Sequence, residues 1–413
     1  MTFLNTILVW TAIISTAFTV VTFGYVMIRG RSKRVVRSLA VASCSLGLLP
    51  AASLIWTLST DSDPLLGSGA NWARNHGFGG VVDQIELWAY SKPPSTIPAE
   101  SLDLLQPTPV STTIAPPSTT SSAPLRQDIG ESTTTTTTVA PFSPDPLIPV
   151  ISPTLDGEGE WLPVSTPEPD AKLWVTAIRP LIDYPSVTAT VVVLDPSDLR
   201  FALHNGYELP GGTWETGPRL ETSIESQAIA AFNGGFRFEH IAGGYFTEGV
   251  EVEPLVEGEA TFAIDESGEL HVGVWGRDIT PSTKWVSVRQ SLPPIVDGGE
   301  NMVAGTWAEL WGVDHGNVTF VFRSAICEGP SGELIYAVAG DVDGNLMAEV
   351  MISLGCEVAM QLDINGNWPQ FAIVNREEDN KVKLSLIDRR MSNEYRYLDG
   401  SKKDFVGVYL GGD

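Results

Sequence analysis

The stretch that decides the fold is Met360-Gln361-Leu362-Asp363-Ile364-Asn365-Gly366-Asn367-Trp368. Upstream of it, ELIYAVAG (333–340) alternates like a strand and Asp341-Val342-Asp343-Gly344 supplies a turn. Leu346, Val350 and Leu354, with Met347 and Met351 beside them, then recur at helical spacing until Gly355, and Glu357 to Leu362 reads as a second strand. A strand, a helix and a strand at this spacing form a crossover unit whose two strands run parallel. Asp363 and Asn365 therefore belong at the carboxyl end of a buried strand, where such sheets place ligands. Turn chemistry is the competing reading, because Asp and Asn bond their own backbone in turns.

Outward from that unit, charge is unevenly spread. Five of the 25 basic residues and none of the 50 acidic ones fall in residues 1–59, leaving 20 against 50, a net charge of −30, for the rest. Such a surface repels polyanions and argues against a nucleic-acid partner, though a few arginines can still hold a small anion. The three cysteines form no scaffold and no Cys-x-x-Cys zinc pair. Cys327 and Cys356 flank the crossover unit, either as one disulfide or as two buried thiols.

Phe3 to Ile28 and Ser38 to Leu58 are apolar runs long enough to span a bilayer at the roughly 20 residues needed. The basic cluster Arg29, Arg31, Lys33, Arg34 and Arg37 lies between them, so the positive-inside rule puts that loop in the cytoplasm and the remaining chain outside. The expected organisation is a two-helix transmembrane hairpin (1–59), a juxtamembrane segment (60–92), a Pro/Ser/Thr-rich disordered linker (93–169) and a folded domain (170–413). Alternating strands dominate that domain, and only Glu221 to Ala230 and the segment after Gly344 read as helix. The class is α+β, a mixed sheet with few helices.

Three segments join Asp363 as candidates for chemistry. Asn233-Gly234-Gly235-Phe236-Arg237, with His240 and Gly243-Gly244 just after, offers backbone amides to a close ligand. Arg289-Gln290 follows a Trp- and Val-rich run. Arg323 falls at an inward register of a buried strand, where its charge requires an anion: Asp363 itself or a substrate phosphate.

The order Asn-Gly-Gly-Phe, then Arg-Ser-Ala-x-x-x-Gly, then an amphipathic helix into Leu-Asp-x-x-Gly resembles the phosphodiester glycosidase family. That family includes the uncovering enzyme, which removes N-acetylglucosamine from sugar phosphodiesters, and bacterial exopolysaccharide-associated proteins. The resemblance covers about residues 228–371, and Arg289-Gln290 with Leu362-Asp363-Ile364-Asn365 is similar to an actinobacterial branch. It implies a pocket lined by Asn233, Gly234, Gly235, Arg323 and Asp363. Where the family usually has Leu-Asp-Gly-Gly-Gly-Ser, this chain has Leu362-Asp363-Ile364-Asn365-Gly366-Asn367, and Arg237 replaces a second Phe.

The expected reaction is hydrolysis of a sugar-1-phosphodiester in cell-envelope glycopolymers. Asp363 would be nucleophile or base, Arg323 and Arg289 would hold the phosphate, and His240 would be a second proton carrier. Arg237, Gln290 and Asn365 complete the expected substrate contacts. The alternative is a catalytically inactive protein that binds or assembles envelope glycan. No cofactor is expected. Neither Asp341-x-Asp343-Gly344-Asn345 nor Asp363-x-Asn365-Gly366-Asn367 has an EF-hand pattern, so calcium in another geometry stays open. Glycan and the lipid bilayer are the expected partners.

Overall fold

In a computed structural model of the chain, the residues described are 91–105, 142–164, 171–223, 226–306, 320–364, 368–376 and 381–411, with isolated positions 69, 73 and 311. The chain divides into units Met1–Ile85 and Glu86–Asp413, and every element below belongs to the second. Both apolar runs of the expected hairpin lie outside the described residues. Among those described, no helix is long and apolar enough to cross a membrane.

In chain order the strands are β1 (Leu162–Pro163), β2 (Leu173–Ile178), β3 (Ala189–Leu194), β4 (Leu199–His204), β5 (Ala228–Asn233), β6 (Tyr245–Thr247), β7 (Val250–Glu253), β8 (Ala260–Asp265) and β9 (Leu270–Val274). They continue as β10 (Trp285–Gln290), β11 (Val296–Asp297), β12 (Glu300–Asn301), β13 (Val321–Glu328), β14 (Leu334–Val342), β15 (Val358–Ile364), β16 (Phe371–Arg376), β17 (Val382–Leu386) and β18 (Phe405–Leu410). Among the described residues of this unit the α-helices are α1 (Gly344–Ser353) and α2 (Arg396–Asp399). One eight-stranded sheet runs β1-β2-β3-β14-β13-β15-β11-β12, and two five-stranded sheets run β7-β6-β10-β8-β9 and β17-β16-β5-β18-β4. Strands thus dominate over helices, as expected.

The crossover unit forms as read, with one addition. β14 and β15 are parallel because β13 lies between them and pairs antiparallel with both. Asp343, in extended backbone, caps α1 by accepting a hydrogen bond from Leu346 N at 2.8 Å, and Gly355 at φ +84° ends it.

Strand alternation explains why the large sheet is buried on both faces. Val192, Tyr336, Val338, Met360 and Leu362 enter a core shared with Phe201, Phe232, Phe262, Ile264 and Val408 of the smaller sheets. Their neighbours Val191, Val193, Ala337 and Ala339 enter a second core, closed by Met347, Val350 and Met351 of α1. Cys327 and Cys356 are disulfide-bonded, with Cα atoms 6.0 Å apart, so α1 is stapled to the sheet.

Two expectations need correction. The expected helix from Glu221 to Ala230 is absent: Ala228 to Asn233 is β5, with Ala231 opposite both Ala372 and Gly407. Small side chains let three strands approach there, and tertiary pairing overrides the helix propensity of alanine. The domain also begins before residue 170. β1 pairs with β2, Asp103 meets Arg389 and Arg390, and Glu158 forms a buried ion pair with Arg179 at 2.6 Å. The flanks 91–105 and 142–164 of the expected linker are therefore part of the fold, while 106–141 lies outside the described residues.

Candidate functional site

Three sequence-distant motifs meet at the carboxyl end of β15. Ser324 Oγ donates to the Asp363 carbonyl at 3.0 Å, and Asn233 Nδ2 donates to Ser324 Oγ at 3.0 Å. Asn233 Oδ1 also accepts from Tyr336 OH at 2.8 Å and Gln370 N at 2.9 Å, while Nδ2 reaches the Gly234 carbonyl. Both ends of that carboxamide are engaged, so Asn233 is a stitch between β5, β13 and β15. It was expected to bind substrate.

Asp363 is 5% exposed. Its Oδ2 accepts a hydrogen bond from Lys403 Nζ in an ion pair, and its Oδ1 accepts one from Ile364 N at 2.9 Å. Burial pushes its carboxyl above the usual range, against the pull of Lys403. Lys403 is 3% exposed, and burial lowers its ammonium from the ordinary value although Asp363 and Asp404 oppose the shift. Lys403 Nζ also stands 4.9 Å from the centre of the Trp368 ring, near which Arg396 and Arg237 lie at 5.2 and 5.9 Å. Arg237 is half-buried and reaches Glu208 at 3.4 Å.

Arg323 lies opposite Ile364 across the ladder and is 3% exposed. It donates to the Val342 carbonyl at 2.8 Å and to Gln361 Oε1 at 3.0 Å, and burial pushes its guanidinium down to about 10. The cation against Asp363 is therefore Lys403, not Arg323. Both Asp363 and Arg323 are nearly closed to solvent, whereas the family resemblance implies that they line a pocket.

Arg289 requires the clearest correction. Instead of facing a phosphate it is 0% exposed, pairs with Asp404 at 3.0 Å, and donates to the carbonyls of Gln290 and Phe236. Gly234 and Gly235 serve that pair. A Cβ on Gly234 would collide with the Asp404 carboxylate, and one on Gly235 would press on the Arg289 guanidinium at 3.2 Å. Gln290 is likewise engaged at both ends, accepting from Gly244 N and Val256 N and donating to Val256 O and Thr261 Oγ1. His240 ends a 3-10 turn with Nε2 3.9 Å from Glu239, and Asn365 lies outside the described residues.

Lys403, Asp404 and Trp368 escaped the sequence reading. Lys402-Lys403-Asp404 before an apolar strand looks like a solvated turn. The available signal was the buried Asp363 and Arg289, each of which demanded an opposite charge from some distant segment.

No family model matches the chain, and no curated protein matches it. Among solved structures, the catalytic domain of zebrafish N-acetylglucosamine-1-phosphodiester alpha-N-acetylglucosaminidase, auto-inhibited by its pro-peptide, is similar at 16% identity and a TM-score of 0.39. That match covers 62% of this chain and 88% of that one. A hypothetical protein from Synechocystis is similar at 11% identity and a TM-score of 0.32, covering 57% of this chain and 64% of that one. An exported protein of Burkholderia pseudomallei is similar at 11% identity and a TM-score of 0.31, covering 54% and 74%.

Proposed function

We propose that the chain hydrolyses a sugar-1-phosphodiester of the N-acetylglucosamine-1-phosphodiester kind in cell-envelope glycopolymers. In this reading its two N-terminal apolar runs hold it in the membrane with the described domain outside. One observation supports the chemistry most. The motifs carrying Asn233, Ser324 and Asp363 converge on a buried carboxylate, beside Lys403, Arg237, Arg396 and Trp368, in a chain of net charge −25. Cations gathered against that background suit an anionic substrate. The Cys327–Cys356 disulfide suits an oxidising compartment.

In the proposed reaction water adds across the bond between the anomeric carbon and the phosphate oxygen, giving free sugar and a phosphomonoester. The substrate phosphate draws the Lys403 ammonium away from Asp363. The ammonium then neutralises the departing phosphate with help from Arg237, and the released carboxylate attacks the anomeric carbon or takes a proton from water. A carboxyl raised by burial is better matched to proton transfer near neutral pH than an ordinary aspartate.

The closure of Asp363 to solvent favours a second reading, a catalytically inactive glycan binder. Incubating the full chain in detergent with UDP-N-acetylglucosamine and a synthetic N-acetylglucosamine-1-phosphodiester separates the two. Free N-acetylglucosamine that disappears in Asp363→Asn supports the hydrolase, and binding without sugar release supports the inactive protein.

A further inference from the structure

The β8–β9 hairpin carries a side-chain group that the proposed reaction does not use. Asp265, Glu269 and His271 each offer one ligand atom, and these atoms lie within 4.8 Å of one another. His271 Nε2 is 3.8 Å from Asp265 Oδ2 and 4.0 Å from Glu269 Oε2. These separations are too long for hydrogen bonds. That nitrogen is also closed to solvent and has no hydrogen-bond partner among the described residues, an arrangement that is costly when nothing satisfies it.

The carboxylate of Asp265 is preset. Its Oδ1 accepts from Ser267 N at 2.9 Å, Ser267 Oγ at 2.6 Å and Glu269 N at 3.1 Å, which leaves Oδ2 toward His271. The imidazole is held edge-on to Trp285 with ring centres 5.5 Å apart, and its Nδ1 lies 4.0 Å from Glu328 Oε1.

We propose that Asp265, Glu269 and His271 hold a first-row divalent cation of the Zn²⁺ class, through one imidazole nitrogen and two carboxylate oxygens. Ligands about 2.0–2.2 Å from a tetrahedral ion stand roughly 3.3–3.6 Å apart. The observed 3.8 and 4.0 Å therefore close by less than about 1 Å, within reach of the Glu269 side chain, which is 58% exposed. The mixed nitrogen and oxygen set favours zinc-like ions over calcium or magnesium, which prefer oxygen alone. His271 also lines a cavity of about 270 Å³ with Lys284, Trp285 and Glu328. The ion would pin the hairpin, on a different sheet from Asp363.

The test is calorimetric titration of ZnCl₂ into the full chain in detergent, after EDTA treatment and its removal, with CoCl₂ absorption as a second readout. One equivalent is expected, with visible bands of four-coordinate cobalt, lost in His271→Ala and weakened at least tenfold in Glu269→Gln. Because Glu269 is exposed, the second variant probes the site without threatening the fold. Absence of stoichiometric binding, or binding unchanged in both variants, would overturn the proposal.

Discussion

Replacing Lys403 with Met tests whether the Asp363 environment is as described. Lys403 and Asp363 are 3% and 5% exposed, so removing the ammonium leaves a buried carboxylate facing Asp404 with only Ile364 N as a donor. Breaking a buried pair from one side costs about 3–5 kcal/mol, mostly as desolvation of the stranded charge. The pH dependence gives the sharper readout. Burial already raises the Asp363 carboxyl above 3.8, and without Lys403 it rises further. The folded variant then holds a proton that the unfolded chain has lost. Its deficit relative to wild type should be larger at pH 7 than at pH 5 and shrink as pH falls toward 3.8. Urea unfolding followed by tryptophan fluorescence at pH 7 and pH 5 measures both effects. Lys403→Met combined with Asp363→Leu should recover most of the loss, because no charge is stranded. A cost below about 1 kcal/mol for Lys403→Met, unchanged between the two pH values, would refute the buried pair.

Arg179→Met should cost a similar 3–5 kcal/mol by stranding Glu158. Burial pushes that carboxyl up, but hydrogen bonds from Arg179 and from the Leu155 and Arg179 backbones hold it below its ordinary value. Its contribution is therefore present above pH 4.5 and lost as pH falls, which urea unfolding at pH 7 and pH 4 would show. Serine at both Cys327 and Cys356 should cost about 3.6 kcal/mol in chemical denaturation, from the loop entropy of their 29-residue separation. Thiol labelling of the native, unreduced chain should leave Cys327 and Cys356 unmodified. His204 is pushed by burial to about 4, so the unfolded chain takes up a proton near 6.5 that the folded one refuses. Stability should fall by up to roughly 3 kcal/mol between pH 6.5 and 4, a slope that His204→Phe removes in a pH series of thermal unfolding.

The crossover unit was legible because its signals are local. The alternation of β14, the 3/4 spacing of α1 and the stop at Gly355 each depend on near neighbours, and the resulting strand end fixes Asp363. Arg323 was legible as a buried charge from strand register alone. Its surroundings were not, since they involve carbonyls and the Gln361 carboxamide. The role of Arg289 was misread because its partner Asp404 lies 115 residues away. An isolated buried arginine and a substrate-binding one look alike until that partner is placed. Lys403 was missed for the same reason, 40 residues from Asp363. β5 failed differently: an alanine-rich segment has a local preference that strand neighbours overrule. The Glu158–Arg179 pair shows that a Pro-rich flank can be anchored by one buried charge.

The central claim is that water attacks the sugar carbon, not phosphorus, under the control of Asp363. Turnover of an N-acetylglucosamine-1-phosphodiester in ¹⁸O-labelled water, read by mass spectrometry of both products, tests it most directly. The predicted result is ¹⁸O in the released sugar and none in the phosphomonoester, with no product from Asp363→Asn. Label in the phosphate, or label in the sugar at undiminished rate in Asp363→Asn, would contradict it.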